Sequence, residues 1–445
     1  MELRQPTNLQ SYPATSRQSY LDWLRILAII GVLVLHSGMP FMPDEAWHIK
    51  NKETSHLILE LNFWLHSFRM PLLFFISGTV SYFMLQKRTG GGFIGLRFRR
   101  LFIPLLVGML VIVPPQVYLE RLTQGYKGSF WSFYPSIFTT GAYPKGNLSW
   151  HHLWFILYLL LYDIICAPLF VWLISEKSRA FRARISWLAT GKRIYLLMLP
   201  SVLVFACLVL KFPETNNLIQ DPAYFIYWLS FLLGGFICIT CPALMDSLER
   251  NRRASLLLAF STLIAINYIR WNGKEPWVVV PDYEHDWRIY AYLVLKSVMS
   301  WTWVMTAVGY GKRYLNKRHR ILDYLNQAVY PFYILHQTII VILAYYVVQT
   351  SDTIGMKYIF IILVTFTLTM GIYHLFIRPY VVTRWLFGMK PLEKKPELQE
   401  GKPAMQEGNR AAHDGKQVAQ EGKPAAHEAG RDTEMVPEKI ALTLK

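Results

Sequence analysis

Cysteine, acidic side chains and charge in general are all scarce in this chain. Only four of its 445 residues are cysteine, Cys166, Cys207, Cys238 and Cys241, and each lies in an apolar run. That number and placement exclude a disulfide-stapled scaffold and a zinc ribbon. The Cys238-Ile-Thr-Cys241 spacing is that of a redox motif, but with no metal-ligand pair beside it two buried thiols are the simpler reading. Charged residues make up 17% of the chain, and Asp plus Glu number 29 against 46 Lys plus Arg, for a net charge of +17. A soluble protein of this length would carry more charge of both signs. The basic residues come as short clusters between apolar runs, as in cytoplasmic loops, so no nucleic-acid partner is expected.

Apolar residues, in contrast, fill 53% of the chain and the mean hydropathy is +0.25. Runs able to cross a bilayer fall at about 21–40, 57–86, 101–118, 152–175 and 194–211, then at about 224–242, 254–270, 288–310, 326–349 and 357–380. Each approaches the roughly 20 residues a membrane helix needs. The second is long enough to be tilted, or broken near Met70-Pro71. The first is too long for a signal-peptide core, so no cleavage is expected. Alternate connections carry "KRTGGGFIGLRFRR", "EKSRAFRARISWLATGKR", "LERNRR" and "GKRYLNKRHR". The others, such as "PDEAWHIKNKETS" and "KFPETNNLIQDP", are poor in Lys and Arg. This bias sets orientation. The expected fold is therefore all-α, a polytopic membrane bundle of about ten transmembrane helices with both termini cytoplasmic. Residues 1–20 form a cytoplasmic segment, 21–390 the membrane domain and 391–445 a tail. The tail repeats "EGKPA" and has almost no aliphatic residues before Ile440, so it cannot bury a core and is expected to be disordered.

Ionisable groups inside spans are costly and mark function by default. His36, His66, Asp163, Lys296 and His336 are such groups, and counting about 1.5 Å per residue places all five between mid-depth and the outer leaflet. Helices running in opposite directions would not share that depth by accident, and a cavity entered from outside would collect these side chains. A lone intramembrane histidine can also serve as a hydrogen-bonded bridge between helices. No His-x-x-x-His or acidic pair accompanies the histidines on one helix, so no metal site is expected. At the inner boundary, Arg97, Arg99 and Arg100 precede the third run, with Asp22 and Arg25 at the same level. Guanidinium forks suit a polyphosphate, and they equally satisfy topology and anionic lipid.

Arg25, ten intervening residues and His36 on the first span together resemble the motif of the acyltransferase-3 family of integral membrane proteins. "HSFRMPLLFFISGTVSYFM" (His66 to Met84) is similar to that family's second-helix signature. Arg97-Phe98-Arg99-Arg100, "HHLWFILYLLLYD" (His151 to Asp163) and "YPFYILHQ" (Tyr330 to Gln337) follow in the family's order. The wording is most similar to the branch that succinylates periplasmic glucans. Over residues 18 to 390 the resemblance implies an O-acyltransferase that moves an acetyl or succinyl group from cytoplasmic acyl-CoA to a hydroxyl of an extracytoplasmic glycan.

It implies His36 as general base and Arg25 as its catalytic partner or the holder of bound CoA, with Asp22 as the alternative contact of Arg25. Arg97, Arg99 and Arg100 would hold the CoA phosphates. His66, His336, Asp163 and Trp154 would line the acceptor side. Trp150, Trp154 and Tyr158 are of the type that stacks on sugars or forms an interfacial belt. No permanently bound cofactor is implied, since acyl-CoA is a donor substrate. Some relatives carry an esterase-like domain after the spans. Here a tail follows instead, so transfer is expected to finish in the membrane domain or to pass the acyl group to a separate protein. A transporter or flippase remains the alternative, although no internal symmetry of two halves is visible in the sequence.

Overall fold

The computed structural model describes residues 18–43 and 46–392. The expected N-terminal segment, up to residue 17, and the expected tail from 393 onward lie outside the described residues. Among the described residues every regular element is a helix, and the one β feature is an isolated bridge between Ala142 and Leu148.

Nine helices among the described residues are long and apolar enough to span a membrane: Ser19–Phe41, His56–Leu85, Gly90–Thr123, His151–Ile174, Pro222–Thr240, Arg252–Val279, Trp287–Tyr314, Arg320–Val347 and Ile354–Ile377. Between the fourth and fifth of these, Glu176–Ala189 and Arg193–Leu208 form a pair bent by 120°, which brings the number to ten if it is one span. The expected helix at about 194–211 is the second arm of this pair, and a break at residues 190–192 joins it to a first arm that was expected as a loop. The cause of the break is local, because Gly191 sits at φ +58°, in the left-handed region that a helix cannot continue through. Below, the bent pair is called the fifth span and the rest are numbered around it.

The second span is one unbroken helix, despite Pro71 within it. Membrane spans tolerate the loss of the one hydrogen bond that proline removes. The Ser55 hydroxyl caps its start by accepting from the Ile58 N–H at 3.5 Å. The third span begins at Gly90, where Thr89 caps the helix by accepting from the Gly92 N–H at 3.2 Å. Its start is thus eleven residues earlier than expected. Two π-helical turns, Phe98–Phe102 and Gly108–Ile112, interrupt it, and the first contains Arg99 and Arg100.

The first and second spans form the centre. The second packs against the first, fourth, sixth and eighth, and the first also meets the eighth, ninth and tenth. Apolar side chains gain little by leaving lipid for one another, so close backbone approach and buried polar bonds must hold such helices together. Gly78 and Gly235 supply that approach. A methyl added at Gly78 would lie 2.0 Å from the Leu232 carbonyl oxygen, and one at Gly235 would lie 1.9 Å from that of Phe75. Replacing either by alanine would push the second and sixth spans apart. The seventh and tenth spans are peripheral and show apolar residues such as Leu257, Ile264, Ile359 and Leu363 on the outside, as lipid-facing helices do.

Candidate functional site

Two histidines from distant parts of the chain meet in the centre. His36 Nδ1 lies 2.9 Å from His336 Nε2. His336 Nδ1 in turn lies 2.6 Å from the Tyr333 carbonyl oxygen. A carbonyl only accepts, so His336 carries its proton on Nδ1 and presents a bare Nε2. His36 must then donate from Nδ1, which leaves its own Nε2 with a free lone pair. His36 is half-buried, so that nitrogen belongs to a ring that solvent or substrate can reach. One carbonyl thus fixes both tautomers and produces a base.

His152 joins the pair, with its ring at 5.3 Å from that of His336 and its Nε2 at 3.0 Å from the Ile334 carbonyl. The Tyr333 hydroxyl donates to the His152 carbonyl and ties the fourth span to the ninth. Trp47 covers the other side of His36, ring centroids 5.8 Å apart.

Around this pair lies a ring of charge. Arg69 is 7% exposed, and its Nε and one terminal nitrogen have no hydrogen-bond partner. Its charged neighbours include Glu214, and both Arg69 and Lys296 act on His66. His66 itself is exposed and Lys296 half-buried, so both remain reachable in the middle of the bundle. Glu214 lies in the loop before the sixth span. Burial pushes its carboxyl up to about 7, and Asp221 adds to this, against the pull of Asn216, Lys296 and Arg69. Asp221 is held by the Tyr158 hydroxyl at 2.7 Å and by the Asn216 N–H at 3.1 Å. Trp154 stands near this loop in an aromatic group, its ring 5.2 Å from Tyr158 and 6.1 Å from Phe74.

Four of the five groups expected at one depth therefore assemble: His36, His66, Lys296 and His336. Asp163 does not. It is fully buried between the Arg97 Nε at 2.5 Å and the Ser81 hydroxyl at 2.8 Å, and Arg97 also donates to Ser81 at 3.0 Å. Arg97 is correspondingly buried rather than displayed at a membrane surface. The physical reason is the early helix start, which carries Arg97 about 10 Å along the third span. Breaking such a pair leaves an uncompensated charge in low dielectric. Asp163→Ala is expected to cost about 3–5 kcal/mol, seen as an early loss of the folded state in a thermal melt in detergent, whereas replacing both partners by apolar residues costs less.

Arg99 and Arg100, by contrast, are exposed and half-exposed, and Arg88 and Arg97 are the charged neighbours of Arg100. Arg25 is not in the histidine cluster. Eleven positions of helix put its backbone about 16 Å from that of His36, and its guanidinium lies 3.1 Å from Asp22.

Arg69, His152 and Glu214 were not singled out from the sequence. Arg69 obeys the rule that found His66, a charge inside an apolar run, three residues further on. His152 stands at the start of its run and Glu214 in a loop, where polar residues carry no such signal. Sequence spacing also missed a second group, His48, Glu120 and His151, whose ligand-type atoms lie within 4.8 Å of one another. They come from three separate segments, so no spacing on one helix announces them.

A family model described as an acyltransferase domain matches residues 18–374. The chain is 23% identical over 401 residues to glucans biosynthesis protein C of Escherichia coli (strain K12), covering 85% of this chain and 96% of that protein. It is 24% identical over 363 residues to the protein of the same name from Salmonella schwarzengrund (strain CVM19633), covering 78% and 88%. No solved structure matches.

Proposed function

Because the chain belongs to the acyltransferase-3 family of membrane acyltransferases, we propose that it transfers an acyl group, succinyl in preference to acetyl, from cytoplasmic acyl-CoA to a hydroxyl of an extracytoplasmic glucan. The observation that carries this reading is the His36–His336 pair, which leaves a basic Nε2 on the first span, inside the family-matched region. That lone pair takes the proton of the sugar hydroxyl as its oxygen attacks the thioester carbonyl. The C–O bond forms, the C–S bond breaks, and the departing CoA sulfur recovers the proton from His36. An imidazole suits both halves of the exchange because its ordinary pKa of about 6.5 lets it act as base and then as acid near neutrality.

The glucan acceptor rests on the names of the relatives, which concern glucans biosynthesis. The preference for succinyl rests on Arg69. A buried guanidinium with unpartnered nitrogens is expensive, and an acyl group ending in a carboxylate would satisfy it. Acetyl has nothing to offer there.

The donor's phosphates are assigned to the opposite end of the pathway. Arg99 and Arg100, in the π-helical turn that follows Arg97, keep their guanidinium groups available, while Arg97 anchors that part of the third span through Asp163. Replacing Arg99 and Arg100 together by Gln is expected to raise the KM for acyl-CoA about tenfold or more, with kcat and the acceptor's KM little changed. Initial rates against each substrate separate these outcomes. If the acceptor's kinetics changed instead, the phosphate assignment would be wrong.

The reading itself is tested by purified protein in nanodiscs supplied with labelled succinyl-CoA and unmodified glucan. Label on the glucan supports it. A transporter without acyl chemistry would leave the thioester intact and the glucan unlabelled.

A further inference from the structure

We propose that His48, Glu120 and His151 form a zinc-binding site that pins three segments of the chain over the histidine pair. Two imidazoles and one carboxylate are a donor set that Zn2+ takes with Zn–N and Zn–O distances of about 2.0–2.2 Å. Atoms already within 4.8 Å of one another reach that geometry through small side-chain shifts.

Several features distinguish this group from a chance meeting of polar residues. The His48 and Glu120 side chains are each 7% exposed and touch one another through Nδ1 and Oε2. His151 is held at φ +37°, a backbone conformation that is costly for a non-glycine residue and persists where something over-determines it. Its Nδ1 meets the Ser149 hydroxyl at 3.2 Å, while its Nε2 is sealed from solvent with no hydrogen-bond partner. That orphaned nitrogen is the one a metal would take. An empty group leaves it unsatisfied, and a zinc ion satisfies it.

The surroundings also match those of a metal centre, where outer hydrogen bonds orient the ligands. The Tyr143 hydroxyl donates to Glu120 Oε1 at 3.0 Å, and the Gln337 side-chain amide lies 3.5 Å from His48 Nε2. Arg121 is the nearby cation, 3.9 Å from Glu120 Oε1. Its fork is turned onto the Pro144 and Gly146 carbonyls at 2.8 and 3.0 Å, and onto Asn147. A pocket of about 430 Å³ lined in part by Trp47, His48, Thr123 and Gln124 opens beside the group and gives a fourth ligand, water, a way in.

The site matters through two dipeptides. In Trp47-His48 and in His151-His152, one member belongs to the proposed zinc site and the other touches the central histidines, Trp47 on His36 and His152 on His336. Fixing His48 and His151 to one ion therefore fixes the walls around the base. His48, Glu120 and His151 are ligands here and take no part in the acyl chemistry, so the inference stands whether or not the transfer reaction is as proposed.

The test uses the full-length protein in detergent, equilibrated with zinc, passed through a desalting column and analysed for metal. The expected result is one zinc per chain, with an X-ray absorption spectrum showing only N and O ligands, two of them imidazole. His151→Ala should lose the zinc, and Tyr143→Phe should weaken binding about 10–100-fold while leaving all three ligands in place. His285→Ala, at an exposed histidine outside the group, should bind as the unaltered chain does. A chain that retains no zinc overturns the proposal, as does a spectrum without imidazole ligands, or equal binding by the His151 variant. The spectrum decides the matter even if the variants fail to fold.

Discussion

His36→Ala should lower acyl transfer by about 100- to 10,000-fold, the range that a positioned general base contributes. Expression, membrane insertion and the thermal melt should stay near those of the unaltered protein, because the ring is only half-buried and its one strong partner is His336. The argument runs through the tautomers. The Tyr333 carbonyl commits the proton of His336 to Nδ1, and His336 then orients His36 through Nε2. His336→Gln should accordingly cost less than His36→Ala, since it removes the orientation but leaves the base. It should act mainly on kcat, and donor binding, read by acyl-CoA protection against unfolding, should be unchanged. Activity retained by the His36 variant would remove this imidazole from the chemistry.

Arg69→Gln should abolish the discrimination between succinyl-CoA and acetyl-CoA. A charge-assisted hydrogen bond to a buried carboxylate is worth about 1.5–3 kcal/mol, so the ratio of kcat/KM values should fall by about 10- to 150-fold. The loss should come from the succinyl donor, with acetyl transfer little affected. Glu214 gives the same site a pH dependence. Its carboxyl titrates at about 7, so below that pH it is neutral and leaves the positive charge of Arg69 and Lys296 to an incoming carboxylate. Above it, the Glu214 anion competes for those cations. The KM for succinyl-CoA should therefore rise as pH increases through 7, and Glu214→Gln should flatten that limb. A flat profile in the unaltered protein, or equal discrimination in the Arg69 variant, would place the acyl carboxylate elsewhere.

The spans were legible because lipid demands long apolar runs, and the family signature was legible in its short motifs. His36, His66, Lys296 and His336 were legible for the same reason seen from the other side, since a polar group in such a run is costly enough to need a purpose. What failed was the position of helix ends. An apolar-run criterion starts the third span at 101, whereas backbone hydrogen bonding starts it at Gly90, and the error moved Arg97 from the interior to the membrane surface. Asp163 was recognised as polar and buried, but its partner could not be named without that correction. Arg25 and His36 share a helix face, yet one face extends over three turns and does not bring its residues into contact. The helical arm Glu176–Ala189 before the fifth run, and the break at Gly191 that joins the two, were not legible, because no hydropathy pattern reports a glycine's φ. The group at His48, Glu120 and His151 depends on tertiary folding, which joins a loop, the end of one span and the start of another.

Sidedness decides the central claim most directly. The purified protein is reconstituted into sealed vesicles, with succinyl-CoA labelled in the acyl group outside and unmodified glucan trapped inside, and mass spectrometry follows the trapped glucan and the external CoA. The account predicts succinyl ester on the enclosed glucan and free CoA left outside in equal amount, both lost with His36→Ala. Ester that forms only when donor and glucan share one compartment, or none with both supplied, would contradict transfer through the bilayer at this histidine.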